Sequence, residues 1–346
     1  MQHKLGLKLV RSGLIILAFL LLAIYLHITS GSYTMTLREI FRTLFGLNDD
    51  RKLELVIFQF RLPRIVIGAL VGAGLGIAGA VMQGVTRNGL ADPGILGINA
   101  GAGTAIVVYI FFFQEMIQSE SIGGWLAVLM MPIFGFIGGL LVALLIFVFS
   151  WRQDTLDMQR LILTGIALGT GFGALSLYIS LKMNANDFEM AAVWTSGSIY
   201  NANWIYIYAM LPWIICLGAL LYRKSYLLNY FQLHDNSVRS LGIRNEKEKA
   251  ILLLASIGLV SACVSVSGGI AFVGLIAPHI SRRLVGNDYR YSMPISALTG
   301  MVLLVFCDYI AKTVFAPAEL AVGIAVSIIG VPYFLYLLAR ANRGGG

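Results

Sequence analysis

The chain has 346 residues, 58% of them hydrophobic and only 12% charged, with a mean hydropathy of +0.82 and a formal net charge of +8. Globular domains carry about 25% charged residues, so these side chains could not clothe a soluble surface of this size. Disorder, collagen and a disulfide scaffold are excluded by the same figures, and a polytopic membrane protein remains.

In chain order, Lys4, Lys8 and Arg11 precede an uncharged run over 12–37. It is longer than a signal-peptide core and lacks a small-residue cleavage site, so it reads as the first span. Further uncharged runs cover 65–86, 93–114, 121–151, 161–181, 190–222, 250–281, 291–307 and 320–339. Each is near or above the ~17–25 residues a helix needs to cross the hydrocarbon core. Alternating segments of about ten residues, the mark of a β-barrel, are absent.

The run 250–281 would be about 48 Å long as one helix, against a core of ~30 Å. Ser265, Ser267, Gly268 and Gly269 offer a natural break within it. Folding it back there gives ten spans: 9–28, 62–86, 95–113, 125–149, 160–182, 202–222, 249–267, 270–286, 292–312 and 319–339. With the N-terminus inside, 17 of the 25 basic residues fall on the cytoplasmic side; an unbroken 250–281 would move the last five outside. The positive-inside rule therefore favours the hairpin. The expectation is an all-α polytopic bundle of about ten transmembrane helices, both termini cytoplasmic, forming one transmembrane domain over 1–346. The closing Gly344-Gly345-Gly346 reads as a linker.

The first external loop breaks the charge rule. It holds Arg38, Arg42, Arg51, Lys52, Arg61 and Arg64, together with Glu39, Asp49, Asp50 and Glu54. Two readings stay open: interfacial snorkelling with local ion pairs, or a docking site for an acidic partner.

Gly74-Leu75-Gly76-Ile77-Ala78-Gly79 formally matches a dinucleotide fingerprint but follows no strand and lacks the acidic residue of a βαβ unit. Gly68, Gly72, Gly76, Ala80 and Gly84 recur every four residues, which makes one smooth helix stripe for close packing. No Walker-type phosphate loop occurs, so the chain is not expected to hydrolyse ATP. Cys216, Cys263 and Cys307 all lie in apolar runs and read as small hydrophobes. Ionisable groups near span ends are few, namely His279, Asp308 and Lys312, which gives an ion-coupled pump little support. No catalytic constellation, metal-ligand spacing or basic nucleic-acid domain is present, so the expectation is a non-enzyme without a bound metal or cofactor. The longest polar stretch on the inside, 223–249, interleaves apolar and polar residues, which fits either a protein-facing surface or a membrane-surface helix.

Several segments together resemble the permease subunit of the ABC importers for ferric siderophores, haem and cobalamin, over about residues 30–340. They are Arg61-Leu-Pro-Arg64; Gln83 with Arg87-Asn-Gly-Leu-Ala-Asp-Pro93, Leu96-Gly97 and Gly101-Ala102; and Gly165-Ile-Ala-Leu-Gly169. Further on come Trp194-Thr-Ser-Gly-Ser198 before Trp204, Leu228-Asn229 with Leu241-Gly242, and Phe272-Val-Gly-Leu-Ile-Ala-Pro-His279 with Arg282. Glu319-Leu-Ala-Val-Gly323 and Gly330-Val-Pro332 complete the set.

The resemblance implies that Arg61, Arg64 and Lys312 meet carboxylates of an extracytoplasmic substrate-binding (lipo)protein; Lys312 stands where the family usually has Arg. It implies that 227–244 forms short coupling helices against a cytoplasmic ATPase, with Leu228, Asn229, Asp235, Arg239, Leu241 and Gly242 as contacts. His234-Asp235-Asn236 departs from the family's usual Gly followed by an acidic residue. Met158 and Gln159 fall where the family places a cytoplasmic gate. Implied partners are a second, identical or homologous permease and two ATPase subunits, which would hold the Mg-ATP. The implied setting is a bacterial cytoplasmic membrane and the implied cargo a ferric siderophore, with haem and cobalamin as alternatives. An ion-coupled secondary transporter is the rival from another class.

Overall fold

The computed structural model describes residues 2–31, 35–47, 50–114, 124–152, 155–233, 235–240 and 245–343. Each charge-free run contains a long helix, and 250–281 contains two. The ten expected spans correspond to α1 (Gln2–Thr29), α4 (Leu62–Thr86), α5 (Ile98–Phe112), α6 (Trp125–Ser150), α7 (Met158–Ser180), α9 (Trp204–Arg223), α12 (Asn245–Ser267), α13 (Val273–Val285), α14 (Tyr289–Thr313) and α15 (Val322–Arg343). Among the described residues eight helices are long and apolar enough to cross a membrane, while α5 and α13 are shorter. Connecting helices described between the spans are α2 (Leu37–Leu44), α3 (Arg51–Leu55), α8 (Ala185–Thr195), α10 (Ser225–Tyr230) and α11 (Asp235–Ser240). The only strands among the described residues are the two-residue pair β1 (Trp151–Arg152) and β2 (Thr155–Leu156), antiparallel with Trp151 opposite Leu156.

Local chemistry sets the helix ends. Asp157, Asn184, Asn203 and Asp288 accept backbone N–H groups at the starts of α7, α8, α9 and α14. Pro63, at the start of α4, offers no N–H to the turn before it. A π turn (Val56–Arg61) leads into α4, and the Phe58 carbonyl within it accepts the Trp204 indole N–H at 2.8 Å.

α4 is the axis of the bundle, in contact with α14, α12, α13 and α9. Its glycines do the work read from their spacing. A Cβ built on Gly72 would strike the Gly300 carbonyl, and one on Gly76 would lie 2.5 Å from the Ser296 carbonyl, so α4 and α14 touch backbone to backbone. Ser296 Oγ donates to the Gly76 carbonyl at 2.8 Å across the same seam. The formal fingerprint glycines face other neighbours: Gly74 packs on Cys263 and Ile214, and Gly79 on Gly274. Small residues at helix contacts are how apolar helices associate where lipid supplies no hydrophobic drive.

The 250–281 run folds back as the charge rule required, with α12 ending at Ser267 and α13 starting at Val273. Gly268 turns the chain at φ +70°, and a Cβ there would collide with the Trp194 carbonyl. Gly323 N–H donates to the Gly197 carbonyl at 2.9 Å. The Trp194–Ser198, Gly268-Gly269 and Gly323 motifs are thus one junction of three loops at backbone contact. Phe272 adopts a left-handed φ of +68°, and its N–H donates to Asp92 Oδ2 at 2.8 Å. Asp92 also accepts the Gly94 N–H at 3.2 Å, so one buried carboxylate fastens the 87–97 loop to the start of α13.

Candidate functional site

The buried charges collect at the two ends of the bundle. At the outer end, Arg64 donates through Nε and Nη2 to Asp308 at 2.7 and 2.8 Å and through Nη1 to Glu319 at 2.6 Å. His27 Nε2 lies 2.7 Å from the same Asp308, and the Arg64 guanidinium sits 5.9 Å from the Tyr200 ring centroid. Arg61 donates to the Ile28 carbonyl, and Lys312 Nζ to the Ser30 carbonyl at 3.0 Å. Gly31 lets the cations converge: its φ of +144° suits glycine, and a Cβ there would lie 3.0 Å from Lys312 Cε and 3.3 Å from Arg61 Nη2.

The structure therefore brings Arg61, Arg64 and Lys312 together, Arg61 and Lys312 meeting at Gly31 and Arg64 held by the carboxylates of Asp308 and Glu319. Neither arginine is presented to solvent. Arg61 is 4% and Arg64 8% exposed, and Glu319, with a side chain 29% exposed, caps the cluster. α3, the π turn and α4 run on as one helix, Arg51–Thr86, so Arg61 and Arg64 sit within it, and the charge of Arg64 is met within the chain by Asp308 and Glu319. Of the groups marked for an ion path, Asp308 and Lys312 belong to this outer cluster. His279 stands apart on α13, edge-on to Tyr333 with centroids 5.8 Å apart.

At the inner end, α10 is pinned to the same two helices. Asn229 Nδ2 donates to Asp288 Oδ1 at 2.7 Å and its Oδ1 accepts the Tyr289 N–H at 2.9 Å, joining α10 to the start of α14. Arg87 caps α4 in a left-handed conformation, φ +53°, and donates to the carbonyls of Phe231 and Leu233. Of the residues named for coupling, Leu228 is fully buried and Asn229 is committed inward, so both fasten the segment. The exposed side chains there are Tyr226, Tyr230, Gln232 and Leu233. Asp235 opens α11 and Arg239 is its next-to-last residue, while Leu241 and Gly242 are outside the described residues. A cavity of about 320 Å³ lies under this segment, lined by Gln83, Arg87, Gln232, Arg282, Asn287 and Tyr289, with Arg282 Nη2 2.5 Å from Gln83 Oε1.

Met158 and Gln159 form the first turn of α7 beside the β1–β2 hairpin, which Glu246 ties down by accepting the Leu156 N–H at 3.0 Å. α7 buries little else than Leu161, Gly165 and Ser180, and nothing lies within 4 Å of a Cβ built on Gly171 or Gly173. Beside it a cavity of about 430 Å³ is lined by uncharged groups, including Asn99, Ser176, Ser180, Phe188 and Thr195. The lining residues run from Asn99 to Gly269, and of them only Thr195 and Gly269 stand in segments singled out in the sequence. Among the described residues no group of three or more His, Cys, Asp or Glu side chains could hold a metal.

Among the described residues the chain is an all-helical membrane bundle with a buried charge cluster at its outer end and a polar junction at its inner end, the architecture of a polytopic membrane protein. The family model described as the FecCD transport family matches residues 19–340. The iron-uptake system permease protein FeuC of Bacillus subtilis is 52% identical over 328 residues, covering 95% of this chain and 97% of its own. The iron(3+)-hydroxamate import system permease protein FhuG of the same organism is 45% identical, covering 94% and 96%. A solved structure described as a metal-chelate type ABC transporter in an inward-facing conformation superposes with a TM-score of 0.80 at 26% identity, covering 96% of this chain and 99% of that one. The chain belongs to the FecCD transport family. It is a multi-pass membrane permease of the ABC class, a transport subunit and not an enzyme, which sets ion-coupled secondary transport aside.

Proposed function

We propose that this permease carries a ferric siderophore inward, with a second identical or homologous permease, two cytoplasmic ATPases and an extracytoplasmic binding protein as its partners. The iron(III) chelate is cargo, and Mg-ATP belongs to the ATPases. Relatives named for iron uptake and iron(3+)-hydroxamate import, each aligned over nearly the whole chain, support the cargo.

One observation carries the mechanism. α4 and α14, zipped together along Gly72, Gly76, Ser296 and Gly300, hold the outer cations at one end and the α10 segment at the other. At ~1.5 Å per residue each of these 25-residue helices spans about 37 Å, more than the ~30 Å of the hydrocarbon core. Docking outside through Arg61, Arg64 and Lys312 and nucleotide-driven closure inside through 227–244 then act on one rigid pair. The two events become coupled by differential contacts to two states of that pair. The exposed face of α7 and the uncharged cavity beside it suit a path shared with the second permease.

Two experiments test this reading. Arg61→Gln with Arg64→Gln should abolish binding-protein docking while both ATPases still co-purify; unchanged docking would overturn the outer-site assignment. Uptake by the reconstituted complex should follow a ferric hydroxamate or catecholate chelate, and uptake of haem alone would overturn the cargo.

A further inference from the structure

The outer loop carries a surface that the docking cluster does not use. α2 begins with a capping box: Thr36 Oγ1 accepts the Glu39 N–H, and Glu39 accepts the Thr36 N–H at 2.8 Å. These bonds hold the exposed Glu39 carboxyl below its ordinary range, with the Thr36 backbone bond the larger cause. At 100° per residue, Ile40 and Thr43 fall on one face, and both are buried. Ile40 joins a cluster with Ile28 at the end of α1 and Ile57 and Ile65 at the start of α4, which fixes α2 across the outer mouths of those spans.

The adjoining face is apolar and uncovered. Leu37, Phe41, Leu44 and Phe45 are 47%, 57%, 38% and 74% exposed, and the Phe41 and Phe45 rings lie parallel at 6.5 Å. Arg38 and Arg42, one turn apart, flank this stripe and are exposed. An apolar stripe on a polar connecting helix needs an occupant, and two chemistries compete for it. An acidic protein would need a net positive surface. Residues 36–55 hold four basic side chains against four acidic ones, so the segment offers no such field. The elements on which α2 rests expose large apolar side chains of their own, Leu22 and Tyr25 on α1 and Leu55 and Phe60 before α4, as a lipid-covered surface would.

We infer that α2 lies in the plane of the outer-leaflet interface, with Leu37, Phe41, Leu44 and Phe45 in the acyl boundary and Arg38 and Arg42 on phospholipid phosphates. Amphipathic helices of this pattern sink roughly 5–10 Å into the headgroup boundary, and arginines beside the stripe can reach phosphates with paired N–H groups. Placed so, α2 sets the depth of the outer ends of α1 and α4, and with them the depth of the cation cluster.

The test uses the assembled importer in phospholipid nanodiscs, with its binding protein present. A photo-crosslinking phenylalanine at Phe45, or at Phe41 in a second variant, should give adducts of phospholipid mass, as should the lipid-facing control at Phe60. Adducts to the binding protein, or no lipid adduct where Phe60 gives one, would overturn the inference. In a Cys216→Ser background, a nitroxide on Phe45→Cys should be relaxed more by oxygen than by a water-soluble nickel chelate; the reverse order would place α2 in water and overturn it as well.

Discussion

Arg64 of α4 and Asp308 of α14 grip each other at two points, 2.7 and 2.8 Å, across 244 residues of sequence. With side chains 9% and 1% exposed, the pair is a buried weld between the two helices. Removing one partner of such a pair strands the other charge, typically at a cost of about 3–5 kcal/mol. Asp308→Ala should therefore lower the thermal midpoint of the purified permease markedly. The apolar pair Arg64→Met with Asp308→Leu should cost less than that single change. Equal midpoints for Asp308→Ala and the native chain would show that the weld does not hold the outer end together.

Glu319 gives a separate test of docking. Its carboxylate takes the remaining edge of Arg64 at 2.6 Å and is the more exposed of the two counter-ions. If Arg64 receives a carboxylate of the binding protein, Glu319 stands in that place beforehand. Glu319→Gln should weaken this internal pair by about 0.4–1 kcal/mol and tighten docking about two- to fivefold. Titration of the binding protein onto the reconstituted importer reads the effect, and weaker docking would contradict it.

Sequence alone carried the architecture a long way. Charge-free runs placed ten helices because a membrane forbids unpaired charge over a full span, and the four-residue glycine spacing located the α4–α14 seam because only small residues allow backbone contact. The same text could not show that Arg61 and Arg64 are covered. Their covering groups, Asp308 and Glu319, lie far along the chain, and pairing at such separation leaves no local pattern. Asp308 read from sequence as a span-end ionisable group when it is the counter-ion of Arg64. Leu228 and Asn229 were expected from the resemblance to be contact residues, but a six-residue helix has too few turns to show from sequence that it buries them. Asp92 stood inside a quoted motif without a role. Its tie to Phe272 depends on a left-handed turn 180 residues away.

The seam predicts opposite fates for two glycines. At Gly72 any side chain meets the Gly300 backbone, so Gly72→Ala must push α4 and α14 apart, at a cost of about 1–3 kcal/mol. At Gly173, on the exposed side of α7, a side chain meets nothing within 4 Å. Gly173→Phe should leave the melting transition and ATPase assembly intact while projecting a ring toward the neutral cavity and cutting siderophore uptake. Normal uptake by Gly173→Phe would remove that cavity from the path.

Arg87 offers the sharpest separation of the two ends. It terminates α4 at φ +53° and hooks the carbonyls of Phe231 and Leu233, so an ordinary substitution would combine backbone strain with lost hydrogen bonds. Glycine accepts the left-handed conformation, and Arg87→Gly isolates the loss of the hook. The cavity lined by Arg87 and Gln232 gives water room to reach the freed carbonyls, so the helix itself should melt near the native temperature. The α10 segment, still held by Asn229 on Asp288, should lose its fixed relation to α4. ATP hydrolysis by the assembled complex should then cease to respond to the loaded binding protein, while docking outside keeps its affinity. A variant whose hydrolysis still rises on docking would show that α4 does not transmit between the ends, leaving α14 through Asn229 as the remaining link.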